Sequence, residues 1–237
     1  MKHRTGCLIC GEELLYLDSH RAMECQYCGK EYSSNVSCAK GHYICDRCHG
    51  LSSLDLIEKY CNSMDSQDPI SMAITLMHNP KVNMHGPEHH FLVSAVLLTA
   101  YYNAIGERDE LSNKLKEARE RGSKLLGGSC GYYGACSAGV GTGMFLSLIT
   151  GTTPVSQEDW NKCHHLTSNS LKNIANVGGP RCCKRSVFIS ILQAADFLKK
   201  EYDVALPVAE SITCEFSHMN NECLGKSCPF FMSETQG

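Results

Sequence analysis

The chain has 237 residues, 43% hydrophobic and 20% charged, with a formal net charge of −3. That length suits one medium domain plus a small one, and so slight a charge imbalance gives no global field directed at nucleic acid or a membrane. The opening MKHRTGCLICGEE lacks the basic-plus-apolar pattern of a secretion signal. The longest apolar run, FLVSAVLLTAYY, is too short to span a bilayer, so the expected location is the cytoplasm.

Cysteine is the anomaly. There are 16, and a cytosolic chain does not keep so many as disulfides. Metal or redox chemistry is the better reading, and it points to a host living with little oxygen. The first region reads CLIC, CQYC and SCAKGHYICDRCH, supplying Cys7, Cys10, Cys25, Cys28, Cys38, His42, Cys45 and Cys48. These form four ligand pairs, enough for two tetrahedral sites, and zinc takes four thiolate or imidazole ligands in closed structural sites. Gly11 and Gly29 follow two of the pairs, where a tight turn favours positive φ. Consecutive pairing would put Cys7, Cys10, Cys25 and Cys28 on one zinc. Interleaved pairing would join Cys25, Cys28, Cys45 and Cys48 and leave Cys7, Cys10, Cys38 and His42 for the other; it is the preferred of the two. The run from Cys25 to Cys48 resembles part of a RING or treble-clef finger, a knuckle and hairpin followed by a pair that opens a helix. Ubiquitin ligation is not carried over from that likeness. Only this module keeps nucleic acid among the candidate partners.

From Leu51 the pattern turns helical, with Leu51, Leu54 and Ile57 three to four apart. Asp68-Pro69 reads as an N-cap with proline at the first helical position, and that helix runs through Met77. Gly86-Pro87 opens a helix that ends at Gly106, apolar nearly all round and therefore central. Asp109 to Leu126 reads as a solvated amphipathic helix, Ser156 with Asp159 as the cap of a helix ending near Gly178, and Ser186 to Tyr202 as another helix. Cys61 and Cys163 lie on helices as packed thiols. The expected fold is mainly α: a small zinc-binding, treble-clef or ribbon-like module over 1–62, then an α-helical, cysteine-rich bundle over 63–237.

Three motifs carry chemistry in that bundle. MHGPEHH places His85, Glu88 and His89 at the start of the central helix as acid/base or metal groups, with capping plus one buried histidine as the alternative. The segment from Gly127 to Gly143, GGSCGYYGACSAGVGTG, holds seven glycines together with Cys130 and Cys136. It is followed by GGPRCCKR, with Cys182 and Cys183 among Arg181, Lys184 and Arg185, where cations and a helix N-terminus lower a thiol's pKa. The tail CEFSHMNNECLGKSCPFF offers Cys214, His218, Cys223 and Cys228, either as a metal site of its own or as ligands for the Cys130/Cys182 site.

GACSAGVGTG and GGPRCCKRSVFISILQAA weakly resemble the cluster-binding region of iron-sulfur serine dehydratases and cysteine desulfidases. The resemblance implies a 4Fe–4S cluster held by three cysteines with one iron open to substrate. Cys136, Cys130 and one of Cys182 and Cys183 would then be the ligands, since adjacent side chains rarely bind one cluster together. HGLS, MHGPEHHFLVSAVLLTAYYN, CGYYGACSAGVGTG and GGPRCCKR together resemble a family from anaerobes known as domain of unknown function 5714, with a zinc-finger-like start. Some members look fused to methyltransferase domains. The expected cofactors are therefore two Zn2+ ions and an iron-sulfur cluster. The expected function is that of a lyase or sulfur-handling enzyme acting on a small molecule, or of a non-catalytic metal-binding adaptor for a partner such as a methyltransferase.

Overall fold

The structure, a computed structural model, describes residues 6–232. Strands β1 (Leu14–Glu24) and β2 (Glu31–Cys38) pair antiparallel, from Leu14 opposite Cys38 to Glu24 opposite Glu31. Most of both strands is exposed, and a two-stranded hairpin is marginal alone. What holds it lies at its ends. The turn joining the strands is a knuckle in which Cys25 O accepts from the Cys28 and Gly29 amides, with Gly29 at φ +61°. The short helix α1 (Asp46–His49) follows, with Cys45 at its N-cap.

Among the described residues, eight further helices build the body: α2 (Ser53–Ser63), α3 (Pro69–His78), α4 (Glu88–Ile105), α5 (Leu111–Ser123), α6 (Ser129–Tyr132), α7 (Ser137–Thr150), α8 (Glu158–Val177) and α9 (Cys183–Tyr202). Asp68 caps α3 through Oδ1, which accepts from the Ile70 and Ser71 amides at 2.9 and 3.1 Å. α4 stops at Gly106, whose φ of +74° turns the chain out of the helix. It runs through the centre, packed by α2, α3, α5, α7 and α9, and its side chains are buried nearly all round. No helix among the described residues is long and apolar enough to cross a membrane.

The glycines of α7 bring helices close together. A Cβ on Gly139 would meet Leu171 of α8 at 2.8 Å, and one on Gly141 would meet the His90 carbonyl and Val93 of α4 at 3.3 Å. A Cβ on Gly143 would collide with Thr167. α7 is thus pressed between α4 and α8, and its lack of side chains is what allows it.

Three boundaries differ from the sequence reading. Ser156 does not cap α8, which starts at Glu158 after Gln157, because its hydroxyl accepts from the Thr153 amide instead. α5 ends at Ser123, short of Leu126, and begins behind a 3-10 turn at Arg108–Glu110. α9 starts at Cys183 rather than Ser186, since Cys182 takes the N-cap position and its Sγ accepts from the Arg185 amide at 3.5 Å.

The cysteine-bearing hairpin and the helices share one hydrophobic core. Tyr27, fully buried beside its knuckle, accepts from Asn79 Nδ2 at 3.0 Å and meets Tyr60 edge-on at 6.0 Å. A division at residue 62 falls on the last turn of α2, whose Leu56, Ile57, Tyr60 and Cys61 are all buried.

Candidate metal centres

The N-terminal ligands gather in the interleaved arrangement. Cys7, Cys10, Cys38 and His42 form one group and Cys25, Cys28, Cys45 and Cys48 the other, with donor atoms within 4.8 Å of one another in each. In the first, His42 Nδ1 lies 3.3 Å from the sulfurs of Cys10 and Cys38 and 3.8 Å from that of Cys7. The Cys10 and Cys38 sulfurs are 3.9 Å apart. Zn–S bonds of about 2.3 Å in a tetrahedron give edges of about 3.8 Å, so the group has the size and donor set of a zinc site. In the second, Cys45 is drawn down to about 7: burial opposes this, but the Cys48 amide and the Tyr32 hydroxyl outweigh it. Lys59 Nζ donates to Cys48 Sγ at 3.0 Å and sets a positive charge beside four thiols. His49 stands outside both groups.

A second constellation lies in the body. His85, His89, His90, Cys130, Cys136 and Cys183 line one cavity of about 230 Å3, with Arg181 at its wall. The segments come from far apart: the loop before α4, the first turn of α4, α6, the N-cap of α7 and the first residue of α9. Three helix N-termini therefore meet at the cavity, an arrangement that favours negative charge. His89 Nδ1 donates to Gly86 O at 3.0 Å, which leaves Nε2 as the lone-pair nitrogen. That Nε2, His85 Nδ1 and His90 Nδ1 are buried without a hydrogen-bond partner. His85 holds its other nitrogen, Nε2, 3.2 Å from Asn220 Oδ1 and 3.7 Å from Glu222 Oε2. Burial, with Lys184 and the other two histidines adding to it, holds His89 well below the ordinary imidazole pKa. It is neutral near pH 7.

Glu88 is placed elsewhere. It is buried but does not line the cavity; its Oε1 accepts from the Asn83 amide at 2.6 Å and holds the loop that precedes α4. The α4 N-terminus itself has no side-chain cap, so Glu88 ties down the loop and does not cap the helix. Cys182 and Cys183, neighbours in sequence, part company. Cys182 is extended at the N-cap and Cys183 is helical, so their side chains leave the chain in different directions. Cys183 enters the cavity, while Cys182 joins Cys214, Cys223 and Cys228 in lining a separate, narrow pocket. His218 goes with neither set and lies beside Cys7 and Cys10. Burial dominates at both thiols. It raises Cys182 although the Arg185 amide and the Arg185 charge both lower it, and it pushes Cys183 up to about 11 against the Gly86 amide.

Sequence reasoning missed Asn220 and Glu222 as partners of His85. The only available signal was their place between two tail cysteines.

Residues 57–231 match a family described as a family of unknown function, DUF5714. No curated protein and no solved structure matches the chain, so the likeness to serine dehydratases rests on its two short pieces alone. The family match leaves the N-terminal groups outside and spans every residue lining the cavity and the tail pocket. Covering more than half of the sequence, it shows that the chain belongs to the DUF5714 family.

Proposed function

We propose that the two N-terminal groups hold structural zinc and that the body holds an iron-sulfur cofactor at the Cys130/Cys136/Cys183 cavity, where a small anionic molecule is bound and acted on. The observation that carries this reading is the cavity lining: three thiols from separate segments beside three buried imidazole nitrogens without partners. A structure that wanted only packing would not leave such nitrogens bare, because each unpaired buried polar group costs about 1–3 kcal/mol.

The donor set fits. Thiolates hold iron-sulfur clusters, usually four to a four-iron cluster, so three leave one iron for an outside ligand. Bound there, the group supplies Lewis acidity toward a substrate oxygen or sulfur. The chain's own residues do the rest. Arg181 and the three helix N-termini draw and orient an anion. His89 Nε2, neutral and aprotic, accepts a proton from the bound molecule. His85, held through Nε2 by Asn220, lines the same space and keeps Nδ1 unpaired. Elimination and sulfur transfer are the reaction classes these groups serve.

A second reading has one observation in its favour. Leu126, Tyr132 and Tyr133, around Cys130, are 65, 83 and 71% exposed. Such a rim suits an adaptor that presents the site to a partner enzyme.

The test is anaerobic purification with zinc, iron and sulfide analysis. The expected result is about two zinc per chain together with iron and sulfide. Replacing Cys136 and Cys183 by Ala should remove part of that iron. His89→Gln should keep all of it while abolishing the spectral change produced by a bound anion. A colourless protein with zinc alone would remove the cofactor and leave the adaptor.

A further inference from the structure

The pocket lined by Cys182, Cys214, Cys223 and Cys228 is separate from the cavity and differs in kind. Its other walls include Met84, Phe188, Phe216, Leu224 and Phe230. The centre of a water-sized sphere has about 10 Å3 between these walls, so the four sulfurs stand apart instead of touching. Arg185, Ser217 and Asn220 complete the lining. The four thiols do not close as a mononuclear zinc site. Among the described residues, no group of three or more such donors outside the N-terminus closes to within 4.8 Å. Four thiolates at about 2.3 Å from one ion would also leave no room between them for a water. Four sulfurs spread around a small void is the arrangement of ligands on separate irons of one cluster.

Three of the four sulfurs already carry the hydrogen bonds that metal thiolates carry. Cys182 Sγ accepts from the Arg185 amide at 3.5 Å, Cys214 Sγ from the Phe216 amide at 3.4 Å and Cys223 Sγ from the Gly225 amide at 3.4 Å. The N-terminal groups use the same device, with Ile9 N on Cys7 Sγ and Cys45 N on Cys25 Sγ, each at 3.4 Å. A second observation points to an anion. Arg185 lines the pocket at 4% exposure, and its Nε is buried with no partner, although Nη2 donates to Gly178 O and Pro180 O. Lys184, fully buried, donates to the carbonyls of Val82 and Met77, sits over the Phe216 ring and has the buried Glu88 carboxylate as its countercharge. Arg185, buried beside four thiols, has no carboxylate partner among the described residues, and a thiolate-ligated cluster carries the missing negative charge.

We propose that Cys182, Cys214, Cys223 and Cys228 form a closed, fully ligated site for a second iron-sulfur cluster, distinct from the cavity. Filling it fixes the tail, whose Asn220 and Glu222 lie between ligands and hold His85. The second site thereby positions a histidine of the first, and the Cys182–Cys183 peptide joins the two. The claim about the pocket stands without the reading of the cavity; the positioning of His85 rests on it.

The experiment uses the full chain, purified anaerobically. Native mass spectrometry with iron and sulfide analysis is compared for wild type, Cys214→Ala/Cys228→Ala and Cys136→Ala/Cys183→Ala. The tail variant should lose about four iron and four sulfide and keep its zinc. The cavity variant should keep that complement. Alkylation of folded wild type with iodoacetamide, mapped by peptide mass, serves if the tail variant does not fold. The four thiols should resist it until the iron is chelated and react at least tenfold faster afterwards. Free reaction before chelation, zinc in place of iron, or iron unchanged in the tail variant would each overturn the second cluster. Iron lost only from the cavity variant overturns it and leaves the reading of the cavity standing; iron lost only from the tail variant does the reverse.

Discussion

The N-terminal hairpin and the helical body both gather cysteines, by opposite means. In the hairpin, ligands come in pairs separated by two or three residues; three pairs are closed by a turn, with Gly11, Gly29 and Gly41 at φ +76°, +61° and +82° just after or within the pair, and the fourth, Cys45 and Cys48, opens α1. The donors close to within 4.8 Å, and little else holds the strands. In the body, Cys130, Cys136 and Cys183 come from separate helix starts, around a cavity left open by a core that is packed without them. The contrast teaches that the first set of ligands makes its fold while the second set is placed by one. Stability should therefore be sensitive to metal at the N-terminus and insensitive to it at the cavity.

The largest effect should follow from Cys25→Ser. Its sulfur belongs to the second N-terminal group, and the residue is fully buried in the shared core. Structural zinc supplies much of the folding energy of such modules. The variant should drop to about one zinc per chain and lose 3 kcal/mol or more, about the cost of breaking a buried network. Calorimetry and metal analysis check both. A variant that keeps its melting temperature would break the comparison at its first term.

Next comes Gly143→Ala, which asks whether the body is held by packing rather than by metal. The new methyl would collide with Thr167 and lie 3.1 Å from the Cys163 carbonyl. Overpacking of this kind costs about 1–3 kcal/mol, readable by urea denaturation with zinc and iron content unchanged.

Cys136→Ala should do the converse. The residue is half-buried at the α7 N-cap, and its side chain caps nothing. The stability change should stay within about 0.5 kcal/mol, while iron falls. A large destabilisation would make the cavity as structural as the hairpin.

A modest effect, with no change in metal content, is expected at Arg119, which pairs α5 with Asp55 and Glu58 of α2 at 2.6 and 2.7 Å. The pair is partly exposed, so Arg119→Ala should cost less than about 1 kcal/mol at neutral pH. The Ser52 hydroxyl and then Arg119 hold the Asp55 carboxyl below its ordinary value. A depressed carboxylate stabilises above its unfolded pKa and loses that contribution as pH falls through the folded one. Denaturation curves of variant and wild type should therefore converge in acid.

Much of the body was legible because helix signals are local. Asp68-Pro69 sets one helix start, Gly106 one helix end, and the unbroken apolar face of Phe91 to Ala100 could only be central. The misplaced boundaries were those where a side chain had two local options. Ser156 could cap α8 or close its own turn with Thr153, and it did the second. Glu88 could face a site or hold a loop, and its carboxylate took the Asn83 amide.

Sequence by itself determined the donors and their local geometry: which residues can bind metal, which pairs sit on a tight turn, and that two regions carry them. Spacings of two or three residues settle that, because so short a loop closes without help from the rest of the chain. Only the tertiary structure decided which pairs share a group, that Cys182 and Cys183 face different pockets, and that the tail's Asn220 reaches His85. Those depend on which helix ends and loops meet across 28 to 135 positions. What sets such meetings is the burial of the whole apolar surface, from Tyr27 to Phe230, and no single motif encodes it.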